Sequence, residues 1–100
     1  MSELCLTLLC PTTLEEKVLD AILMMPEIAV FTSTPTAAHG LSHGRLNAAE
    51  QVMGRALVTQ IQAFLMLANR DAVLASIHEQ FAGTGLRYWI TPVIEAGEIA

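Results

Sequence analysis

The order in which apolar spacing changes along the chain is the strongest constraint on its fold. Apolar residues alternate in strand-like segments and recur every three or four residues in helical ones. The order here is strand, helix, strand, strand, helix, strand, over residues 4–10, 12–25, 28–37, 56–67, 69–82 and 86–95. This order predicts one domain over residues 1–100 of class α+β, a ferredoxin-like βαββαβ fold with a four-stranded antiparallel sheet and two helices on one face.

Both predicted helices have an apolar stripe and recognisable ends. Thr12 and Thr13 each precede a glutamate by three residues, as in a capping box. Asn69 is predicted to cap the second helix, and Gly83 to end it in the left-handed conformation. The stripes comprise Leu14, Val18, Ala21, Ile22 and Met25 in the first helix, and Val73, Leu74, Ile77 and Phe81 in the second.

Proline placement supports this topology. Pro35 and Pro92 lie within the second and fourth predicted strands, whereas the first and third contain no proline. A proline removes a ladder hydrogen bond, so strand prolines favour sheet edges. The ferredoxin-like topology places the second and fourth strands at the edges, which agrees with the prolines.

The composition predicts a homo-oligomer. The chain is 53% hydrophobic and only 15% charged, which leaves a monomer with excess apolar surface. Two helices cover one face of the predicted sheet, and the other face is largely apolar in the first strand and half polar in the third. We therefore expect a second copy of the chain on the open face.

Charge and hydropathy exclude several classes of partner. Ten acidic and five basic residues give a net charge of -5, which repels phosphate backbones and argues against nucleic acid. No apolar run approaches the ~18 residues that a membrane span requires. Cys5 and Cys10 are too far apart in one strand to form a disulfide, and we expect buried thiols of a cytoplasmic protein, with an exposed Cys10 at the strand end as the alternative.

A long connection between the second and third strands, residues 38–54, is the expected functional segment, because tight hairpins need only about two to five residues. It contains His39 and His43, spaced as two metal ligands on one helical face, although Gly40 and Gly44 disfavour a helix there. The alternatives are a zinc or copper site completed by other residues and two solvated histidines.

Two motifs resemble the PII superfamily of signalling proteins, and more closely a PII-like group encoded beside heavy-metal efflux pumps. They are AEQVMGR at residues 49–55 and GTGLRYWITPVIEAG at residues 83–97. The resemblance covers nearly the whole chain. It implies a homotrimer that binds effectors between subunits, as nitrogen regulatory proteins do, and that contacts a partner protein, such as an efflux pump, through residues 38–54.

Three arginines and a glycine pair are the candidate ligand-binding residues. Guanidinium groups suit phosphate and carboxylate, and Arg45, Arg55 and Arg87 are three of only five basic residues. The resemblance places Gly83 and Gly85 in the phosphate-binding loop. The preceding basic and glycine positions of nucleotide-binding PII proteins are absent here, and the arginines have an equally good structural role as ion-pair partners of Glu50 or Glu95.

The residues reveal no catalytic constellation, so we predict a protein that is not an enzyme. The first hypothesis is a regulatory protein that senses an anion, a nucleotide or a metal and signals through residues 38–54, with a role in metal tolerance implied by the resemblance. The second is a protein that binds or buffers copper or zinc directly. The sequence identifies no cofactor.

Overall fold

The computed structural model describes residues 2–40, 48–49 and 54–100. The elements described are β1 (Glu3–Pro11), α1 (Glu15–Leu23), β2 (Ile28–His39), β3 (Arg55–Met66), α2 (Arg70–Phe81) and β4 (Arg87–Val93). Short 3-10 turns, Thr12–Leu14 and Leu67–Asn69, lead into the two helices.

The four strands form one antiparallel sheet in the order β2-β3-β1-β4. In the centre, Leu6 of β1 pairs with Ala63 of β3 on one side and with Ile90 of β4 on the other. Pro35 pairs with Thr59 at the β2 edge, and Pro92 lies on the β4 edge. The predicted ferredoxin-like order and the edge positions of both prolines are confirmed.

The core lies between the sheet and both helices. Alternate residues of β1 and β3 pack against the helical stripes, because successive side chains of a strand point to opposite faces. Val18 and Ile22 of α1, and Val73 and Ile77 of α2, are buried there as predicted. The sheet contributes Leu4, Leu6, Leu8, Cys10, Ile61, Ala63 and Leu65.

The predicted side-chain caps are wrong, because both helices begin through a 3-10 turn. The residue preceding α1 is Leu14, and no side-chain hydrogen bond caps the Thr12–Leu14 turn or the start of α1. Glu15 instead accepts a hydrogen bond from Thr59 of β3. Asn69 precedes α2 with helical φ and ψ, rather than the extended conformation of a capping residue, and its side chain makes no cap bond. Gly83 has the predicted positive φ, 77°, but it does not end α2, because the chain has already left the helix at Ala82, whose φ and ψ are -57° and 137°.

The open face of the sheet carries uncharged polar side chains in its middle. Strand alternation and register place Thr7, Gln62 and Thr32 side by side across three strands, and Trp89 beside Thr7 on the fourth. Thr7 is only 1% exposed. A small apolar cluster covers one end of this face, formed by Ala38, Ala56 and Val58 with Leu9 packed against it.

Strand β2 continues two residues beyond the predicted end. Ala38 pairs with Ala56, and His39 pairs with Arg55. The prediction that the connecting loop starts at residue 38 is therefore wrong. The extra residues stay in the sheet because Ala38 packs into the cluster with Val58 and Leu9.

Candidate functional site

The turn between α2 and β4 is organised by Thr84. Its hydroxyl donates a 2.7 Å hydrogen bond to the Phe81 carbonyl at the end of α2 and accepts a 3.3 Å hydrogen bond from the Leu86 N–H. Gly83 and Gly85 flank it with φ values of 77° and 74°, a conformation that other residues adopt at a cost. The sequence GTGL thus builds a tight turn immediately before β4.

This turn forms one wall of a cavity of about 370 Å³. Thr84, Gly85 and Arg87 supply its polar side, and the Thr13 hydroxyl adds to it. The opposite wall is apolar and comes from Leu9, Pro11, Leu14 and Val58. The cavity therefore suits a small ligand with both an anionic and an apolar part.

The positive charge of Arg87 is available to a ligand. Arg70 and Asp71 form the ion pair seen among the described residues, at 3.2 Å, and Arg87 forms none with them. The Gly85 N–H likewise has no hydrogen-bond acceptor within the described part of the chain. A free guanidinium and a backbone amide are the donors that phosphate and carboxylate groups bind. The Leu86 amide is already used by Thr84.

The structure brings only part of the predicted ligand set together. Gly85 and Arg87 line the cavity, and Gly83 begins the turn beside it. Arg55 lies elsewhere in the sheet. Leu9 pairs with Arg87 on one side and with Gln60 on the other. Arg55 is five residues before Gln60, which places it ~17 Å away along β3. One small anion does not contact both arginines of a single chain. Arg45 lies outside the described residues.

Of the two predicted metal ligands, the structure describes His39. His39 is at the end of β2 beside Arg55, a cation that disfavours a metal ion there. His43 lies outside the described residues. Within residues 2–40, 48–49 and 54–100, no three histidine, cysteine, aspartate or glutamate side chains form a possible metal site.

Cys10 lies at the same end of the sheet but faces the core. Burial, with the negative charge of Glu15 as a smaller cause, raises the pKa of its thiol to about 11. Its Sγ donates to the Pro11 carbonyl at 3.4 Å. Both cysteines are free and buried, as predicted, and a neutral buried thiol is a poor nucleophile.

The whole sequence, residues 1–100, matches the model of a family described as a protein of unknown function, DUF3240. The chain belongs to the DUF3240 family. The comparison with curated proteins finds no match for this DUF3240 chain.

Three solved structures share the fold of this DUF3240 chain. A crystal structure of a DUF3240 family protein from Shewanella baltica OS155 has a TM-score of 0.82 at 15% identity, over 100% of this chain and 99% of that one. A Bacillus cereus protein related to NIF3 has a TM-score of 0.68 at 14% identity, over 97% of this chain and 26% of that one. A proposed PII-like signalling protein from Thermus thermophilus has a TM-score of 0.65 at 13% identity, over 93% of this chain and 88% of that one. These similarities show a PII-like fold.

The sequence of this DUF3240 chain did not predict the apolar wall of the cavity. Leu9 and Val58 lie on the open face of neighbouring strands, and Leu14 belongs to the turn before α1. The strand alternation places Leu9 and Val58 on the same face, but only the strand register brings them to the same end as Arg87. Among the helices described, none is both long and apolar enough to cross a membrane.

Proposed function

We propose that the protein is a non-enzymatic, PII-like regulatory protein that binds a small anion in the cavity at the start of β4. The observation that carries this proposal is the convergence of Arg87 and Gly85 on a cavity whose opposite wall is apolar. Such a site selects a phosphate or carboxylate attached to an apolar or flat group, and an adenine nucleotide has this character.

The proposed assembly is a homotrimer that places this cavity between subunits. The open sheet face supports an assembly, because its central side chains are uncharged and Trp89 and Val30 leave apolar surface exposed. In the trimer, Arg55 of one subunit approaches the cavity of another. This arrangement reconciles the predicted ligand role of Arg55 with its distance from Arg87 in the same chain.

The proposed output is a contact between residues 40–54, the connection between β2 and β3, and a partner protein, which includes a heavy-metal efflux system as one candidate. The support is the resemblance of residues 49–55 to the PII-like group. We do not propose direct copper or zinc binding, because nothing within the described part of the chain supports it.

The test is isothermal titration of the protein with inorganic phosphate, AMP, ADP and ATP. A charge-assisted hydrogen bond contributes ~1.5–3 kcal/mol, so Arg87→Ala weakens the ligand that binds by at least about tenfold. Arg70→Ala is the matched control, because Arg70 is an exposed arginine on α2 that pairs with Asp71 and does not line the cavity. This control variant retains the parent affinity.

Two results would contradict the proposal. One is that none of the four anions binds the parent protein at millimolar concentration. The other is that Arg87→Ala binds as tightly as Arg70→Ala and the parent do. Circular dichroism of both variants verifies that the fold is unchanged.

A further inference from the structure

The segment after β4, residues 94–100, has apolar side chains that its own chain leaves uncovered. Ile94 is 101% exposed and Ile99 is 99% exposed. Glu95 and Glu98 lie between them in the sequence. The segment therefore offers alternating apolar and acidic groups to whatever covers it.

The cavity where this segment begins is lined, among the described residues, by carboxylates and by no basic residue. Residues 95–98 border a cavity with Glu3, Ala29, Val30 and Phe64 at one end of the sheet. Glu3, Glu95 and Glu98 thus bring three carboxylates around one cavity. Like charges repel, which favours a contact between the segment and a positive group elsewhere.

The cavity at the start of β4 has the complementary character. Its apolar wall contains Leu9, Leu14 and Val58, and its rim holds the exposed Arg87. Arg87 has no ion-pair partner among the residues the structure describes. An isoleucine side chain can pack against this apolar wall, and a glutamate can form an ion pair with this arginine.

The cavity of the same chain lies at the opposite end of β4 from this segment. Arg87 and Val93 are the two ends of β4, and six residues of extended strand separate their Cα atoms by ~20 Å. The segment starts at the far end of that strand and already borders Glu3 and Phe64 there. A neighbouring copy has no such constraint.

We infer that residues 94–100 of one subunit occupy the cavity of a neighbouring subunit, with Ile99 against its apolar wall and Glu98 paired with its Arg87. This inference rests on the proposed function for the identity of the competing ligand. The Glu98 carboxylate takes the position that the anion needs, so the segment is a built-in competitor, and an anion that binds must displace it. The neighbouring subunit thereby contributes to the site.

Cysteine cross-linking tests the docking without any ligand. Arg87→Cys protein is mixed with a tagged Glu98→Cys protein, allowed to exchange subunits and oxidised mildly, and the product is separated on a non-reducing gel. Arg70→Cys mixed with the same tagged Glu98→Cys protein is the matched control. All three positions are on the surface, and the native Cys5 and Cys10 are buried.

The inference predicts a disulfide-linked dimer of one untagged and one tagged chain for the 87–98 pair and not for the 70–98 pair. Equal yields from the two pairs, or a protein that light scattering shows to be a monomer, would overturn it. Failure of the anion proposal has a different signature, because without added ligand the cross-link forms even if the protein binds neither phosphate nor ATP.

Titration of Glu98→Gln with inorganic phosphate and ATP tests the competition. Removal of an exposed ion pair tightens anion binding by about two- to fivefold. Glu79→Gln on α2 is the matched control and retains the parent affinity. An unchanged or weaker affinity in Glu98→Gln would show that the segment does not compete for the cavity.

Discussion

The Thr59 hydroxyl donates a 2.9 Å hydrogen bond to Oε1 of Glu15. It joins the middle of the sheet to the first turn of α1, across 44 residues of sequence. Thr59 is 4% exposed, and Cys10, its partner in the neighbouring strand, is fully buried. This bond therefore fixes α1 on the sheet at the end where the candidate cavity lies.

Thr59→Val is expected to destabilise the protein by about 1–3 kcal/mol, because it keeps the shape of the side chain but leaves the Glu15 carboxylate without its donor. The free energy of unfolding is measured in urea at a fixed protein concentration. Thr34→Val, at an exposed position on the edge strand β2, is the control and changes stability much less. Equal losses in the two variants would contradict a special role for the Thr59 bond.

Stability is expected to fall as the pH rises from about 9 towards 11. The pKa of Cys10 is raised from 9.0 to about 11 in the folded chain, so the folded state keeps a proton that the unfolded state has lost in this window. Stability decreases with pH wherever the folded state binds more protons. Urea midpoints at pH 8, 9 and 10 measure the slope.

Cys10→Ala separates the effect of this thiol from every other cause of the decline. The variant is less stable at every pH, but its stability declines less steeply between pH 8 and pH 10 than that of the parent. Parallel slopes in the two proteins would show that another group causes the decline.

Gly83→Ala is expected to cost about 1–2 kcal/mol of stability, because the left-handed conformation is unfavourable for a residue with a Cβ atom. Space is not the cause, since an added Cβ meets no atom within 4 Å. Gly97→Ala is the control: it also has open space, and its φ is not in the left-handed region. Urea unfolding of both variants measures the difference, and equal stability would disprove the conformational cost.

Gln62→Lys is expected to dissociate the proposed homo-oligomer. Gln62 lies between Thr7 and Thr32 on the open face, where a lysine would bury its charge between subunits. Light scattering across a dilution series measures the change in mass. We expect the dissociation constant of the variant to be at least about tenfold higher than that of the parent. The control is Gln80→Lys on the exposed surface of α2, which assembles as the parent does. A parent protein that is already monomeric would refute the predicted assembly.

The sequence predicted the topology because two independent signals agree. Apolar spacing identified the elements, and Pro35 and Pro92 identified the edge strands. The details of the helix starts were not predictable from short motifs, since Glu15 bonds to Thr59, a residue far away in sequence. The same holds for the cavity: the turn around Thr84 was visible as a motif, whereas its apolar wall depends on the register that aligns Leu9 with Arg87.

The two edge prolines have a consequence for aggregation. An exposed sheet edge is a template for another strand, and repeated pairing of this kind produces fibrils. Pro35 and Pro92 each interrupt the row of N–H donors on their strand. A strand added at either edge therefore meets a gap in that row, which disfavours open-ended growth, and the assembly proposed above, through the face of the sheet, needs neither edge.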